Sequence, residues 1–329
     1  MTVQKMTIKK IGLLCSGGDS PGMNCAIRAV VRTAIGQGLE VVGIKRGYQG
    51  LLDQKFENMD ASSVGNIIQR GGTILQTSRC LEFLKPEVRQ KAFKILKENK
   101  IDALIVIGGN GSYNGAFALH SETGMPVIGL PGTIDNDITG TDYSIGFDTA
   151  VQTAVEAVDK IRDTAHSHAR TFIVEVMGKK SPAIATHVGI CTGAENIILP
   201  FQDFDDAKIA QDIKKGIERG KSSSIIICAE GEEPGSSYRL QKKLESQHKI
   251  KAHVCILGHI QRGGSPTAID RFIASTMGNK AIKCLLDGEV AKAICYEKGT
   301  VVEKDLSLCL KKKDEYMPEK IEMVRELSI

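Results

Sequence analysis

Short apolar runs, each closed by a glycine-rich turn, recur along this chain, with segments of helical period between them. Residues 11–15 read IGLLC, 39–44 LEVVGI, 103–107 ALIVI and 126–130 PVIGL; 171–176, 224–228 and 254–257 are similar. Runs of this length, continuously apolar and rich in β-branched residues, predict strands buried on both faces, as in a parallel sheet. Elsewhere apolar residues return every three or four positions, as at Ala26, Ile27, Val30, Val31 and Ala34. That period predicts helices there and over 88–98, 150–162, 207–217 and 268–286. Weaker signals suggest a helix over 60–69, a short strand ahead of Thr77, a helix over 114–120, and β-elements at 188–191 and 196–199. Residues 164–170 and 234–237 read as loops. Strand, turn and helix in alternation predict an α/β chain with parallel, doubly wound sheets.

The stretch 101–137 concentrates the candidate chemistry. Its first strand empties into Gly108-Gly109-Asn110-Gly111-Ser112 and its second into Pro131-Gly132-Thr133-Ile134-Asp135-Asn136-Asp137. Glycine removes the Cβ that would hold a ligand off the backbone, and a helix start offers free N–H groups to an anion. Two carboxylates two residues apart at a strand's carboxyl end are poorly placed for packing and well placed for catalysis; ligands of open α/β sheets bind beyond those ends. A second such unit opens the chain, where strand 11–15 runs into Ser16-Gly17-Gly18-Asp19-Ser20-Pro21-Gly22. It is not a P-loop, because no Gly-Lys-Ser/Thr follows, and neither glycine cluster fits GxGxxG, which excludes a dinucleotide dehydrogenase. Arg79, Glu230, His259 and Arg262 also fall at strand ends, the last two in a glycine-rich turn suited to a sugar phosphate. Arg28 and Arg32, one helical turn apart, read on their own as a solvated basic face. His166 and His168 read as solvated or hydrogen-bonded rather than as metal ligands.

Composition narrows the class. At 329 residues the chain has room for about two domains of ~150 residues. A net charge of +4 with no clustered basic patch gives no reason to expect nucleic acid. None of the nine cysteines forms a CxxC pair, and Cys15, Cys228 and Cys255 sit in strand-like runs, so a reduced, cytoplasmic protein is expected. Neither a signal-peptide h-region nor an apolar run of membrane length is visible.

Taken in order, SGGDSPGMN, IGGNGS, PGTIDND, VEVMG and LGHIQRGGSP resemble the bacterial-type 6-phosphofructokinases over nearly the whole chain. The resemblance implies two three-layer α/β domains with mainly parallel sheets and a chain that crosses between them. Residues 1–145 with about 259–308 would bind nucleotide, and about 146–258 with 309–329 would bind sugar phosphate. It implies phosphoryl transfer from ATP, with Mg²⁺, to the 1-hydroxyl of fructose 6-phosphate in glycolysis, by a cytoplasmic homotetramer. Gly18, Arg79, Cys80, Gly109, Gly111 and Ser112 match the nucleotide-phosphate site. Asp135 matches the general base, Asp137 the second acidic residue of its turn, and Thr133 the residue that orients the γ-phosphoryl group. Met177, Gly178, Glu230, His259 and Arg262 match the sugar-phosphate pocket, and Arg170 an arginine lent by a neighbouring subunit. Arg28, Arg32, Arg162, Glu195, Arg219 and Lys221 match an effector site for ADP or phosphoenolpyruvate, which turns the Arg28/Arg32 pair from a solvated face into an anion site. Pyrophosphate-using relatives carry an acidic residue at the position of Gly111 and a lysine at that of Gly132; glycine at both implies ATP.

Four positions depart from the pattern. Asn110 stands where the family has the aspartate that holds Mg²⁺, His253 where a second cross-subunit arginine would bind the 6-phosphate, Lys179 for a pocket arginine, and Ala61 for an effector-site arginine. An arginine fork binds phosphate bidentately, whereas Lys is a point charge and His is mostly neutral at pH 7. Two readings follow. One is an active ATP-dependent kinase of depressed activity. The other is a degenerate paralogue acting as a nucleotide or sugar-phosphate sensor or as a regulatory subunit.

Overall fold

The computed structural model describes residues 8–200, 203–231, 235–313 and 318–327. In chain order the strands are β1 (Lys10–Ser16), β2 (Glu40–Ile44), β3 (Phe56–Met59), β4 (Ala103–Gly108), β5 (Val127–Pro131), β6 (Thr171–Val176), β7 (Asn196–Ile198), β8 (Ser224–Ala229), β9 (Ala252–Ile256), β10 (Lys292–Glu297) and β11 (Thr300–Asp305). The helices are α1 (Met23–Gly36), α2 (Gly47–Leu52), α3 (Pro86–Glu98), α4 (Asn110–Thr123), α5 (Phe147–His168), α6 (Ala183–Thr192), α7 (Asp206–Glu218), α8 (Ser236–His248), α9 (Ala268–Leu286), α10 (Leu306–Cys309) and α11 (Pro318–Leu327). The chain divides into two units, 1–149 with 262–313 and 150–261 with 314–329. The first division, expected at 145, falls at Thr149, and residues 309–313 belong to the first unit rather than the second.

The first unit is built on a seven-stranded sheet ordered β11-β10-β5-β4-β1-β2-β3. The five inner strands are parallel and the two edges antiparallel. Side chains alternate across it as the pleat requires. Ile11, Leu13, Cys15, Ile105 and Ile107 join α1 and α9 on one face, while Leu14, Leu104 and Val106 join Leu96, Ala116 and Leu119 on the other. Each of these large side chains is removed from water and contributes about 1.5–3 kcal/mol. α1 and α9 approach so closely that a Cβ at Gly278 would lie 2.7 Å from that of Ala29. From β1 the chain moves to β2 on one side and to β4 and β5 on the other, so the winding reverses between β1 and β4. That reversal opens the crevice where open α/β sheets bind ligands. Ser16 pairs with Gly108 and Gly108 with Pro131, so three strands end level and their turns lie side by side.

The second unit holds a parallel four-stranded sheet, β7-β8-β6-β9. Ile173, Ile226 and Cys228 pack with Ile213, Leu240 and Leu244 in its core. Val176 is level with Ala229, which brings the turns after β6 and β8 together.

Several local expectations are corrected. Residues 60–69 form turns rather than a helix, because Asp60 caps the N–H groups of Ser62 and Ser63 and Asn66 turns left-handed. No strand lies directly ahead of Thr77, where the chain over 60–80 is turn and irregular; the strand before that stretch is β3, an antiparallel edge. Residues 188–191 lie in α6; a short, wholly apolar run does not distinguish strand from buried helix by period. α5 runs on through His168 and stops at Ala169 (φ 49°), so 164–168 are helical. Ser236 and Ser237 begin α8, and Pro234 lies outside the described residues. No helix among the described residues is long and apolar enough to cross a membrane.

Candidate active site

α4 begins four residues earlier than its sequence suggests, at Asn110, so Gly111 and Ser112 belong to its first turn. Gly109 is extended and no side chain caps the helix there, which leaves first-turn N–H groups and the positive end of the dipole for an anion. A Cβ at Gly111 would meet nothing within 4 Å. At Gly108 it would collide with Ser112 Oγ and with Ser16 O, because Ser112 Oγ donates to Ser16 O (2.8 Å) and pulls α4 onto β1. The buried Tyr48 hydroxyl donates to Ser112 O (2.7 Å) from the other side.

The first glycine loop turns through left-handed Gly17 and Gly22. Thr77 Oγ1 donates to Gly17 O (2.8 Å) and so holds the segment carrying Arg79 and Cys80 against this loop. Arg79 is exposed; Cys80 is half-buried, and burial raises its thiol pKa, which keeps it uncharged. Arg262 falls in this unit too. Its Nη1 donates to Asp19 O (3.2 Å) and lies where a Cβ on Gly18 would sit 2.9 Å away, so the glycine is what admits the guanidinium.

The turn after β5 stands beside α4. Asn110 Nδ2 donates to Asp137 Oδ2 at 2.8 Å, joining residues 27 apart in sequence. Thr133 Oγ1 accepts the N–H of Asp135 (3.2 Å), and Ser144 Oγ donates to Thr133 O (2.6 Å). One carboxylate and one carboxamide therefore meet beside the uncapped start of α4. No group of three or more His, Cys, Asp or Glu among the described residues could hold a metal alone. A cation here would take most of its ligands from phosphates and water, which suits Mg²⁺.

In the second unit Met177 and Gly178 are buried after β6, with Lys179 exposed and left-handed (φ 48°). Glu230 follows β8; its N–H donates to Val176 O (2.7 Å), and its Oε2 is buried with no hydrogen-bond partner among the described residues. His259 is exposed in the 3-10 turn after β9. Arg170 and His253 lie elsewhere. Arg170 precedes β6, and His253 is level with Phe172 with its ring 5.3 Å away, so both stand at the amino end of the sheet whose carboxyl end carries Met177 and Glu230.

Of the residues expected at the effector site, Arg162 Nη2 donates to Thr192 O (2.6 Å) at the end of α6. Glu195 is buried, accepting from Ile225 N (2.7 Å) and Lys221 Nζ (3.4 Å). Arg219 is exposed after α7. In the first unit Arg28 is half-buried on α1, and Arg32 Nη2 reaches the carbonyl of Ala61 at 3.5 Å.

The chain matches the family model described as phosphofructokinase over residues 10–285. The chain belongs to the phosphofructokinase family. It is 49% identical over 332 residues to the ATP-dependent 6-phosphofructokinase of Halothermothrix orenii and 51% identical over 322 to that of Clostridioides difficile. In each case the match covers 98% of this chain and 100% of the relative. Among solved structures, phosphofructokinase from Saccharomyces cerevisiae superposes with a TM-score of 0.86 at 35% identity, over 92% of this chain and 45% of that longer chain. The family's α/β fold with parallel-dominated sheets is the fold described above.

Several supports of these positions were not singled out from sequence, although Asn24 closes SGGDSPGMN and Gln261 lies within LGHIQRGGSP. Buried Gln261 accepts from Met177 N (2.8 Å) and donates to Ala150 O (3.2 Å) within the second unit. Asn24 carries the 70–74 loop on both ends of its amide, and Asp270 holds the start of α5. The two motifs marked the neighbourhoods of Asn24 and Gln261 but not what their amides hold, and for Asp270 the one mark is its polarity on a helix otherwise rich in apolar residues.

Proposed function

We propose that this protein is an ATP-dependent 6-phosphofructokinase, transferring the γ-phosphoryl group of ATP to the 1-hydroxyl of fructose 6-phosphate to give fructose 1,6-bisphosphate and ADP. Full-length relatives about half identical to it bear that name. The observation that carries the reading is the levelling of β1, β4 and β5, which sets the acidic turn against the uncapped start of α4. The new bond joins the sugar's 1-oxygen to the γ-phosphorus, the bond between that phosphorus and the β,γ-bridging oxygen breaks, and the hydroxyl proton passes to Asp135. Phosphoryl transfer asks mostly for in-line positioning and charge neutralisation, with a carboxylate in reach of the proton.

Gly18, Arg79, Cys80, Gly109, Gly111 and Ser112 would receive the nucleotide phosphates, and Thr133 would orient the γ-phosphoryl group. Mg²⁺, held by Asp137 and the Asn110 amide oxygen, would neutralise phosphate charge. The open space at Gly111 suits the α-phosphate of a nucleotide, which favours ATP over pyrophosphate as donor. Met177, Gly178, Lys179, Glu230, His259 and Arg262 would form the sugar-phosphate pocket, with Arg170 and His253 serving a neighbouring chain's pocket in a homo-oligomer, a tetramer by family likeness. Arg28, Arg32, Arg162, Arg219 and Lys221 would bind a phosphorylated effector such as ADP or phosphoenolpyruvate, with Glu195 at its metal. The role is glycolytic and the site of action the cytoplasm. No observation favours the reading as a degenerate sensor or regulatory subunit.

A coupled assay with fructose 6-phosphate, Mg²⁺ and either ATP or pyrophosphate tests this. Turnover with ATP is expected; faster turnover with pyrophosphate would remove the donor assignment, and none with either would remove the kinase.

A further inference from the structure

The turn that carries the two acidic residues has a left-handed centre. Asn136 stands between Asp135 and Asp137 with φ 51° and is 6% exposed. Asn and Asp adopt this conformation more readily than other residues with a Cβ, since a short polar side chain can bond locally. Here the carboxamide is engaged at both ends. Nδ2 donates to Asp142 O (2.9 Å), and Oδ1 accepts from Ser144 N (2.9 Å). Its own carbonyl accepts from Lys313 Nζ (2.8 Å), and the same ammonium reaches Thr141 O (3.1 Å). The segment bearing Lys313 is fastened alongside, with Lys312 bridging Ile138 and Thr139 Oγ1 donating to Lys311 O (2.7 Å). The 142–145 segment is tied back in turn, Ser144 to Thr133 O and Ile145 O to Thr133 N (3.2 Å).

We propose that Asn136 is a positioning residue for phosphoryl transfer, its carboxamide and the Lys313 ammonium on its carbonyl together holding the turn that aims Asp135 and Asp137. The proposal rests on the kinase reading above. Neither residue would touch substrate. A reacting carboxylate displaced by an ångström loses rate before it loses binding, because ground-state contacts are made by other groups.

Two substitutions separate backbone from carboxamide. Asn136→Gly keeps the left-handed conformation and deletes both side-chain bonds. Asn136→Asp keeps the shape and the Ser144 bond but opposes the Asp142 carbonyl and adds a charge between two carboxylates. In the intact enzyme with ATP and fructose 6-phosphate, both should lower kcat by about tenfold or more while KM for either substrate moves by less than about twofold. Lys313→Met, at a half-buried side chain, is the variant least able to disturb folding, and it should lower kcat by about threefold with KM unmoved. Hydrogen exchange reads the clamp without turnover: the Ser144 amide should exchange about tenfold faster or more in Asn136→Gly than in wild type. Wild-type kcat in Asn136→Gly, unchanged exchange at Ser144, or an unaffected Lys313→Met where the Asn136 variants do not fold, would each overturn the proposal. An inactive wild type with faster exchange in the variant would overturn the kinase reading and leave the clamp as a structural device.

Discussion

Asn110 shows how one side chain can change what a site demands of its ligand. Its Nδ2 donates to Asp137 Oδ2 at 2.8 Å, a neutral amide against a carboxylate. An aspartate would set two carboxylates together, which repel unless a cation or a shared proton offsets the charge. Asn110→Asp is therefore expected to lower the Mg²⁺ concentration for half-maximal activity by about tenfold, one contact of about 1.4 kcal/mol, and to raise turnover at limiting Mg²⁺. The same variant should melt lower than wild type without ligands. Initial rates across a Mg²⁺ titration and thermal melts in EDTA check both; an unchanged Mg²⁺ requirement would show that Asn110 does not meet the metal.

Among the elements, α5 depends on a carboxylate from outside itself. Asp270, fully buried on α9, accepts from Gly146 N (2.7 Å), Thr149 N (2.8 Å) and Thr149 Oγ1 (2.5 Å), serving the start of α5 as a cap supplied by another helix. Burial pushes its carboxyl up from the usual 3.8 to about 6, against the lowering effect of those donors. A folded-state pKa above the unfolded one favours the protonated carboxyl in the folded protein. Its contribution to stability is thus complete below about pH 4 and is lost as pH rises through about 6. Relative to Asp270→Asn, which does not titrate, wild-type stability should fall by about 3 kcal/mol across that window in urea denaturation. A difference independent of pH would mean that the carboxylate ionises as freely in the fold as in the unfolded chain. Asp270 escapes sequence reasoning because one acidic residue in the first turn of a helix reads as ordinary dipole compensation.

For the whole molecule, the second unit bears on the proposed homo-oligomer. Arg170 and His253 stand at the amino end of its sheet and Met177 and Glu230 at the carboxyl end, roughly 20 Å apart at the rise of a strand. They cannot serve one pocket from one copy of that sheet, so a site needing both sets requires two chains. Asp135→Asn and Arg170→Ala homo-oligomers are each expected to be nearly inactive. Dissociated together and reassembled, they should regain activity, because a mixed pair holds one site carrying both lesions and one carrying neither. Absence of recovery in hybrids verified by mass would argue that each site lies within one chain.

Much of this protein is legible in its sequence, for a physical reason. Strands buried on both faces must be continuously apolar, so 11–15, 103–107, 126–130 and 224–228 all appear as strands in the fold, and α9 occupies 268–286 as its period requires. The glycine loops and the Asp135/Asp137 turn are legible for the same reason, since close backbone approach and carboxylates at strand ends have no cheaper residues. Tertiary structure alone decided the rest. The extra first turn of α4, the helix at 183–192 and the edge strands β3 and β11 depend on what packs against them, and local preference for each is weak. The meeting of Asn110 with Asp137, Gly18 with Arg262, and Asn136 with Asp142, Ser144 and Lys313 joins residues whose nearness comes from sheet order and register. A linear pattern records which residues want burial or a turn; which polar atoms then face each other is settled only when the strands align.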